Sequence, residues 1–417
     1  MREIKKIQSH HLNEMVTIEQ QAYTARQAET YDDIDQIVEK YQKEVDKENN
    51  IHYYGAFEHD KLVGSMKLYD FKMNVFGHFF PLGGLGSVAV DLLHKKEKVA
   101  KDIVTYFLNH YDEQDYSLTA LYPFRPDFYY KMGFGYGTKK DQYKVVPDAF
   151  PDFGNKQDLT YLTEEDSQAV VNCYNEYASK HHGFFYADDP HFDAYLKSFK
   201  TKVIGVKKNG KITGFSVFTF NRESENNVLS NNIHIHQLIY NEPNALQQIS
   251  TFFHSQKDQV NRIMISTQDL DFHYLLDDAR NDSNNLIPPV FHETNKSGIG
   301  IMYRIINVKR FFQQLGKHHF NRVSTTVTFN VRDSFYKKNE GPVTVSFNNG
   351  KPFVTQGAKA QITIDIDISD LSSLVLGIVD FKKLYMYGRA KVSDEQYVDD
   401  VNLLFHTTES PICTTGF

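Results

Sequence analysis

The sequence of 417 residues holds no tryptophan, two cysteines and no uninterrupted apolar run near the ~18 residues that a membrane span needs. Cys173 and Cys413 are too few for a disulfide framework or a thiolate metal site. The opening stretch, Met1-Arg2-Glu3-Ile4-Lys5-Lys6-Ile7, has no hydrophobic signal core, so a cytoplasmic protein without a membrane span is expected. A surplus of basic charge is missing too, since 46 Lys and Arg stand against 53 Asp and Glu for a net −7. Nucleic acid is therefore not an expected partner, because neutralising phosphates takes clustered Lys and Arg in excess.

What is present is globular in proportion: 41% hydrophobic, 24% charged and 14% aromatic, enough core formers for two to four domains. A repeat organises the first two. Gly55-Ala56-Phe57-Glu58-His59-Asp60-Lys61-Leu62-Val63-Gly64 and Gly205-Val206-Lys207-Lys208-Asn209-Gly210-Lys211-Ile212-Thr213-Gly214 share one pattern at an offset of 150 residues. Each predicts a β-hairpin, apolar runs flanking a two-residue polar turn, with Asn209-Gly210 a type I′ sequence. At the same offset the strand Leu85–Val90 corresponds to Ile235–Tyr240. After the first, Val99, Ile103, Tyr106, Phe107 and His110 fall on one face of a helix.

A turn-rich stretch, Asn281-Asp282-Ser283-Asn284-Asn285 and then Pro288-Pro289, marks a boundary or a long surface loop, and a third unit starts near Ile299. In it Val343, Val345 and Phe347 alternate up to Asn349-Gly350, and Ile362, Ile364, Ile366 and Ile368 alternate likewise, predicting half-buried antiparallel strands. Two helices should follow, one capped by Ser369 ahead of Leu371, Leu374, Val375 and Ile378, the other opened by a Ser393/Gln396 capping box. The sequence stops at an apolar segment, Pro411-Ile412-Cys413-Thr414-Thr415-Gly416-Phe417, without the polar fraying usual at an unused terminus.

Two segments could carry chemistry. Val88-Ala89-Val90-Asp91-Leu92-Leu93-His94-Lys95-Lys96-Glu97-Lys98-Val99-Ala100 sets a basic loop between a buried strand and a helix start, where free N–H groups and the helix dipole favour an anion such as a pyrophosphate. Composition alone favours a solvated basic turn. Asp127-Phe128-Tyr129-Tyr130-Lys131-Met132-Gly133-Phe134-Gly135-Tyr136-Gly137 reads by itself as a helix with a glycine cap entering a strand.

In that order, about 40 residues apart, the two segments resemble the acetyl-CoA motif and the Tyr-x-x-x-Gly-Phe motif of the GNAT superfamily of N-acetyltransferases. The whole chain resembles one branch, the enhanced-intracellular-survival (Eis) acetyltransferases. The fold this implies is α+β, or mixed α/β: tandem acetyltransferase domains at 1–147 and 148–298, the second degenerate, and a sterol-carrier-protein-like domain at 299–417. Transfer of acetyl from acetyl-CoA to a primary amine is implied, the acceptor being lysine-type or aminoglycoside-like, with no metal and assembly into a homo-oligomer, in such relatives a hexamer. By the same resemblance Val88, Ala89 and Val90 bind pantetheine and the thioester oxygen, and Lys95, Lys96, Lys98, Val99 and Ala100 form the pyrophosphate loop. Tyr129 becomes the acid for the departing thiolate, Tyr130 its alternative if the register slips, and the main-chain carboxylate of Phe417 the acceptor of the amine proton. An α-carboxylate titrates near ~3.5 and an alkylammonium near ~10, so that carboxylate has to act late, after nitrogen has added to the carbonyl.

The chain departs from the family pattern at Lys98, where a glycine usually lets backbone approach phosphate, and at Glu97, a negative charge at an anion site. This leaves an alternative open, a non-catalytic relative that binds CoA weakly or holds a lipid or other apolar ligand. The second copy has Tyr240-Asn241-Glu242-Pro243-Asn244 in place of the basic loop, so one acetyl-CoA site per chain is expected. His234 with His236, and Asp365 with Asp367, are assigned to solvated strand faces, and His10-His11, His181-His182 and His318-His319 receive no role. Phe79-Phe80 and Gly183-Phe184-Phe185-Tyr186 are assigned to core packing, the second also being a possible lining for an acceptor pocket.

Overall fold

The computed structural model describes residues 2–23, 28, 30–46, 50–188, 191–224, 227–281, 283, 286–287 and 291–417. The first unit runs β1 (Glu3–Lys6), α1 (Leu12–Ala22), α2 (Tyr31–Asp46), β2 (Ile51–Glu58), β3 (Lys61–Val75), β4 (His78–Val90), α3 (Val99–Glu113), β5 (Leu118–Leu121), α4 (Pro126–Tyr130) and β6 (Gly135–Tyr136). The expected hairpin forms between β2 and β3. Its turn residues His59 and Asp60 both take positive φ, at 49° and 62°, as a type I′ turn requires. Helix α3 buries Val99, Ile103 and Phe107, the face read from their spacing.

The second unit repeats this order with β7 (Lys139–Val145), β8 (Leu159–Tyr161), α5 (Ser167–Lys180), α6 (Asp193–Leu196), β9 (Thr201–Lys208), β10 (Lys211–Ser224), β11 (Asn227–Tyr240), α7 (Pro243–His254) and β12 (Arg262–Thr267). The two-residue strands β13 (Leu286–Ile287) and β14 (Phe291–His292) and then β15 (Asn295–Ile299) complete it. Part of the stretch read as a boundary, including Asp282, Asn284, Asn285, Pro288 and Pro289, lies outside the described residues.

The two seven-stranded sheets exchange a strand. The first has the order β1-β2-β3-β4-β5-β16-β6, with β16 at Met302–Ile305, and the second β15-β7-β12-β11-β10-β9-β8. Thus β7, which follows β6 in sequence, pairs with β12, and β16, which follows β15, pairs with β5. The strand Met302-Tyr303-Arg304-Ile305 is buried at every position. Its Arg304 is neutralised by the equally buried Asp333 at 2.6 Å, a pair that fastens the first unit to the third.

The third unit follows with α8 (Val308–Gln314), β17 (Thr325–Arg332), β18 (Gly341–Asn348), β19 (Lys351–Thr355), β20 (Ile362–Asp367), α9 (Ile368–Val375), α10 (Phe381–Met386), β21 (Ala390–Val392) and α11 (Val398–Phe405). Its sheet has the order β19-β18-β17-β20-β21. The alternation of Ile362, Ile364 and Ile366 is an inward face as expected, but β20 pairs parallel with β17 and antiparallel only with β21. The caps differ from expectation, by two positions at α9 and by one at the second helix start. Asp367, not Ser369, caps α9, and Asp394 accepts from the Gln396 N–H where a Ser393 box was read, because a carboxylate is the stronger acceptor at a helix start.

One buried cluster joins β3, β4 and β5 of the first unit, Phe185 of the second, and Phe312, Phe329, Val345, Ile364 and Leu371 of the third. Each such fully buried side chain contributes about 2 kcal/mol of transfer free energy, so the third unit is held on a continuous core.

Candidate active site

Strand β4 pairs parallel with β5 from Leu82–Leu118 to Leu85–Leu121, and there the pairing stops while β4 continues to Val90. Beyond Leu85 the two strands part. On its other side β4 stays bonded to β3, with a bulge between the Ser65–Ala89 and Lys67–Gly86 pairs and Ser87 at φ 48°. Ser87 and Val88 lie within this bulge, and Ala89 and Val90 pair with Ser65 and Gly64 of β3 beyond the point where β5 no longer pairs. The Val88 carbonyl accepts the Tyr23 hydroxyl at 2.9 Å.

Tyr129 lies in the short helix α4, is 3% exposed, and shares a buried cluster with Leu85, Leu121 and Phe134. Burial first, and the neighbouring Tyr23 next, push its phenol above the usual range, so it is fully protonated at neutral pH. The motif's Gly133 ends this helix at φ 83°, and a Cβ there would overlap the Arg304 guanidinium at 1.4 Å. Only glycine fits. Tyr130 points the other way, donating to Asp370 Oδ1 at 2.6 Å beneath the Arg389 guanidinium.

The segment after α11 returns to the first unit between the other two. Ile412 N donates to the His182 carbonyl at 2.9 Å, Cys413 N to Gln268 Oε1 at 2.7 Å, and Gln237 Nε2 to the Thr414 carbonyl at 3.2 Å. Tyr122 then donates to the Thr415 carbonyl at 3.0 Å. The Phe417 ring sits among Phe71, Tyr122, Tyr69 and Phe185, with centroids 5.0, 5.2, 5.5 and 6.0 Å away. Its main-chain carboxyl carbon lies 3.2 Å from where Gly86 would carry a Cβ, so the carboxyl group reaches the point where β4 and β5 part. The two aromatic runs, distant in sequence, meet here: Phe185 bridges to Met73 of β3, and Tyr186 packs edge-on against Phe79 at 5.5 Å.

On the opposite flank, Lys95, Lys96 and Lys98 are exposed, Val99 is buried and Ala100 half-buried at the start of α3. Lys98 is the N-cap of α3 in the left-handed conformation, φ 68° and ψ 12°, without a side-chain cap, so the first N–H groups of the helix have no side-chain acceptor there. Its backbone thus takes the geometry a glycine favours. Glu97 is paired: Arg2 reaches its carboxylate at 3.4 Å, its carbonyl at 2.8 Å and Asp102 at 2.8 Å. Among the described residues Glu58, His94 and Glu97 converge in a manner a metal could use, yet Arg2 also meets Glu58 at 3.4 Å, so a cation of the chain already stands among them. The set of donors at this loop, free helix N–H groups and exposed ammonium groups, fits a pyrophosphate.

Sequence reasoning missed a buried polar cluster beside Tyr69. Glu19, 5% exposed, accepts from Tyr41 at 2.7 Å, Glu44 accepts from Tyr53, and Lys67 Nζ lies 3.7 Å from the Tyr41 ring centroid. Burial holds the Glu19 carboxyl above its usual range against the pull of Lys67 and Tyr41, and its Oε1 has no partner. Tyr23, whose hydroxyl donates to the Val88 carbonyl, was also missed. The lone lysine in the apolar run Ser65-Met66-Lys67-Leu68 was the one signal available.

Comparison with known proteins agrees with this geometry. Residues 3–137 and 187–305 each match an acetyltransferase (GNAT) domain, and residues 308–414 match a sterol carrier protein domain. The chain is therefore two acetyltransferase (GNAT) domains followed by a sterol carrier protein domain, in mixed α/β architecture. Similar solved structures include a GCN5-related N-acetyltransferase from Anabaena variabilis, 18% identical with TM-score 0.82, and a probable N-acyltransferase from Enterococcus faecalis, 20% identical with TM-score 0.80. Eis1 from Mycobacterium abscessus is 15% identical with TM-score 0.73, and all three alignments cover 100% of both chains, so the arrangement is Eis-like. None of the curated proteins compared with the sequence matches it. No helix among the described residues is long and apolar enough to cross a membrane.

Proposed function

We propose that this chain is an N-acetyltransferase that uses acetyl-CoA and acetylates a primary amine, lysine-type or aminoglycoside-like, without a metal. The observation that carries the reading is the Phe417 carboxyl group beside Gly86, at the parting of β4 and β5. The cosubstrate supplies an activated acetyl thioester. Lys95, Lys96, Lys98 and the N–H groups of Val99 and Ala100 hold its pyrophosphate, and main-chain groups of Val88, Ala89 and Val90 hold its pantetheine arm. Preset backbone donors at an acyl oxygen are worth about 3 kcal/mol each in transition-state stabilisation.

Tyr129 keeps its proton at neutral pH and gives it to the departing thiolate as the carbon–sulfur bond breaks. The Phe417 carboxylate takes the proton of the attacking nitrogen once that nitrogen has become acidic. The carboxylates Glu19 and Glu44 beside the ammonium of Lys67 favour an acceptor that arrives as a cation. Glu97, the charge most unfavourable to an anion, is paired with Arg2, which Glu58 and Asp102 share. Assembly as a homo-oligomer, a hexamer, belongs to the same reading and is read from the particle mass in solution. The decisive test is thiol release with an amine acceptor by the full chain and by a form ending at Gly416. Turnover that survives the loss of Phe417 would sink the base assignment, and no acetyl-CoA binding by the full chain would sink the enzyme.

A further inference from the structure

The parting of parallel strands occurs twice in this molecule. In the second acetyltransferase domain β11 and β12 pair from Asn232–Arg262 to Ile235–Ile265 and then separate, 150 residues on from the Leu85–Leu121 parting of the first. The bulge recurs too, between the Val217–Gln237 and Phe218–Ile235 pairs. The space left open is a cavity of about 470 Å³.

Its charge is opposite to that of the first cleft. Among the described residues no lysine or arginine lines it, while Asp269, Asp271 and Glu409 do. Of the histidines on its wall, His182 and His236 are held below the usual imidazole range chiefly by burial, so they add no charge at neutral pH. A pyrophosphate has nothing to bind here. The walls are aromatic where they are not acidic: Tyr177 stacks on His181 with centroids 3.8 Å apart and meets Tyr240 edge-on at 5.6 Å. Asp269 lines the same cavity as Tyr177 and Tyr240.

A second observation is independent of the acids. Gln237, 6% exposed, lines the cavity; its Nε2 is used on the Thr414 carbonyl, but its Oε1 has no partner. Buried acceptors without donors are rare in native proteins because an unmade hydrogen bond is destabilising. They point to a ligand that brings an N–H or O–H group. Carboxylates and ring faces together select a positive charge, since the π face of tyrosine attracts cations and the carboxylates pair with them.

We propose that the cleft of the second domain binds a small organic cation, an alkylammonium compound that carries a further N–H or O–H donor. The cation lies against Asp269, Glu409 and the tyrosine faces, and the donor meets Gln237 Oε1. This site does not depend on acetyl transfer in the first domain. Because Thr408–Thr414 forms part of its wall, an occupant touches the same segment that ends at Phe417.

Choline is a suitable probe, having a fixed positive charge, a hydroxyl donor and a nitrogen that cannot accept an acetyl group. Calorimetric titration of the full chain is expected to show one choline per chain. Asp269→Asn and Glu409→Gln should each weaken it roughly tenfold. Asp269 accepts the Asp271 N–H at 3.0 Å, a bond asparagine retains, and Glu409 is exposed, so both variants keep the fold. Tyr129→Phe and saturating CoA should leave choline binding unchanged. The proposal is overturned by absence of heat with choline, by equal affinity in both carboxylate variants, or by displacement of choline by CoA, which would put the probe in the first cleft.

Discussion

The two acetyltransferase domains share a sheet order, a bulged central strand and a parting of parallel strands at positions 150 residues apart, yet their clefts carry opposite charge. In the first, β4 runs into a loop with Lys95, Lys96 and Lys98 exposed ahead of α3. In the second, β11 runs through Asn241-Glu242 directly into Pro243 at the start of α7, and carboxylates line the gap. The gap follows from backbone geometry, since two strands that diverge cannot bond. What it binds is decided by a handful of side chains after the strand. The segment ending at Phe417 sharpens the contrast, because it crosses the second cleft with Ile412 and Thr414 and delivers its last carboxyl group to the first.

The comparison can be broken most severely at that carboxyl group. Removing Phe417 should reduce acetyl transfer by about 10³-fold, the range for losing a positioned base, with acetyl-CoA affinity unchanged by calorimetry. Comparable turnover would make the two clefts equally inert toward the tail. Next in size is a pH effect at the seam between the domains. His182 is pushed down to about 4 by burial, its Nε2 3.0 Å from the Leu376 carbonyl and its ring stacked on Phe76 of the β3–β4 turn at 4.2 Å. A histidine depressed from 6.5 contributes stability that is full above pH 6.5 and is lost as pH falls toward 4, here about 3 kcal/mol. Urea midpoints across that window should fall steeply, and His182→Gln should flatten the fall; an unchanged slope would move the acid sensitivity elsewhere.

Tyr129→Phe is expected to lower kcat about 10²-fold with KM retained, whereas Tyr130→Phe, losing only its bond to Asp370, should leave kcat within a few-fold. Equal losses in the two variants would remove the distinction drawn between these neighbours. The smallest effect concerns the first loop. Lys98→Gly should raise stability by about 1 kcal/mol, since a non-glycine residue at φ 68° is strained. The affinity for acetyl-CoA in the same variant then separates two roles: tighter binding marks the lysine as an obstruction, weaker binding as a phosphate contact.

Much of the fold was readable because it is written in local pattern. The repeated hairpins, the face of α3 and the inward isoleucines of β20 depend on spacing alone, and each formed. The exchanged strand was not readable. Met302-Tyr303-Arg304-Ile305 is too short and too uniformly buried to show alternation, and its arginine would argue against burial without knowledge of Asp333. The caps at Asp367 and Asp394 were displaced by two residues and by one, because nearby serines and aspartates can both cap a helix start and spacing alone does not choose between them.

In the candidate site, the motif residues around Val88, Lys98 and Tyr129 were visible, whereas Glu19, Tyr23, Glu44 and Lys67 were not, since polar residues scattered over α1, α2 and β3 share no periodicity. The amino-acid sequence by itself determined two copies of one domain, a third α+β unit and which copy carries a basic loop, because periodicity, turn chemistry and charge are local properties. The strand exchange, the path that brings Phe417 beside Gly86 and the acidic character of the second cleft were decided by tertiary structure alone. Those depend on contacts between residues more than 100 positions apart, such as Gln237 with Thr414 or Arg304 with Met132, and no spacing along the chain encodes such a meeting.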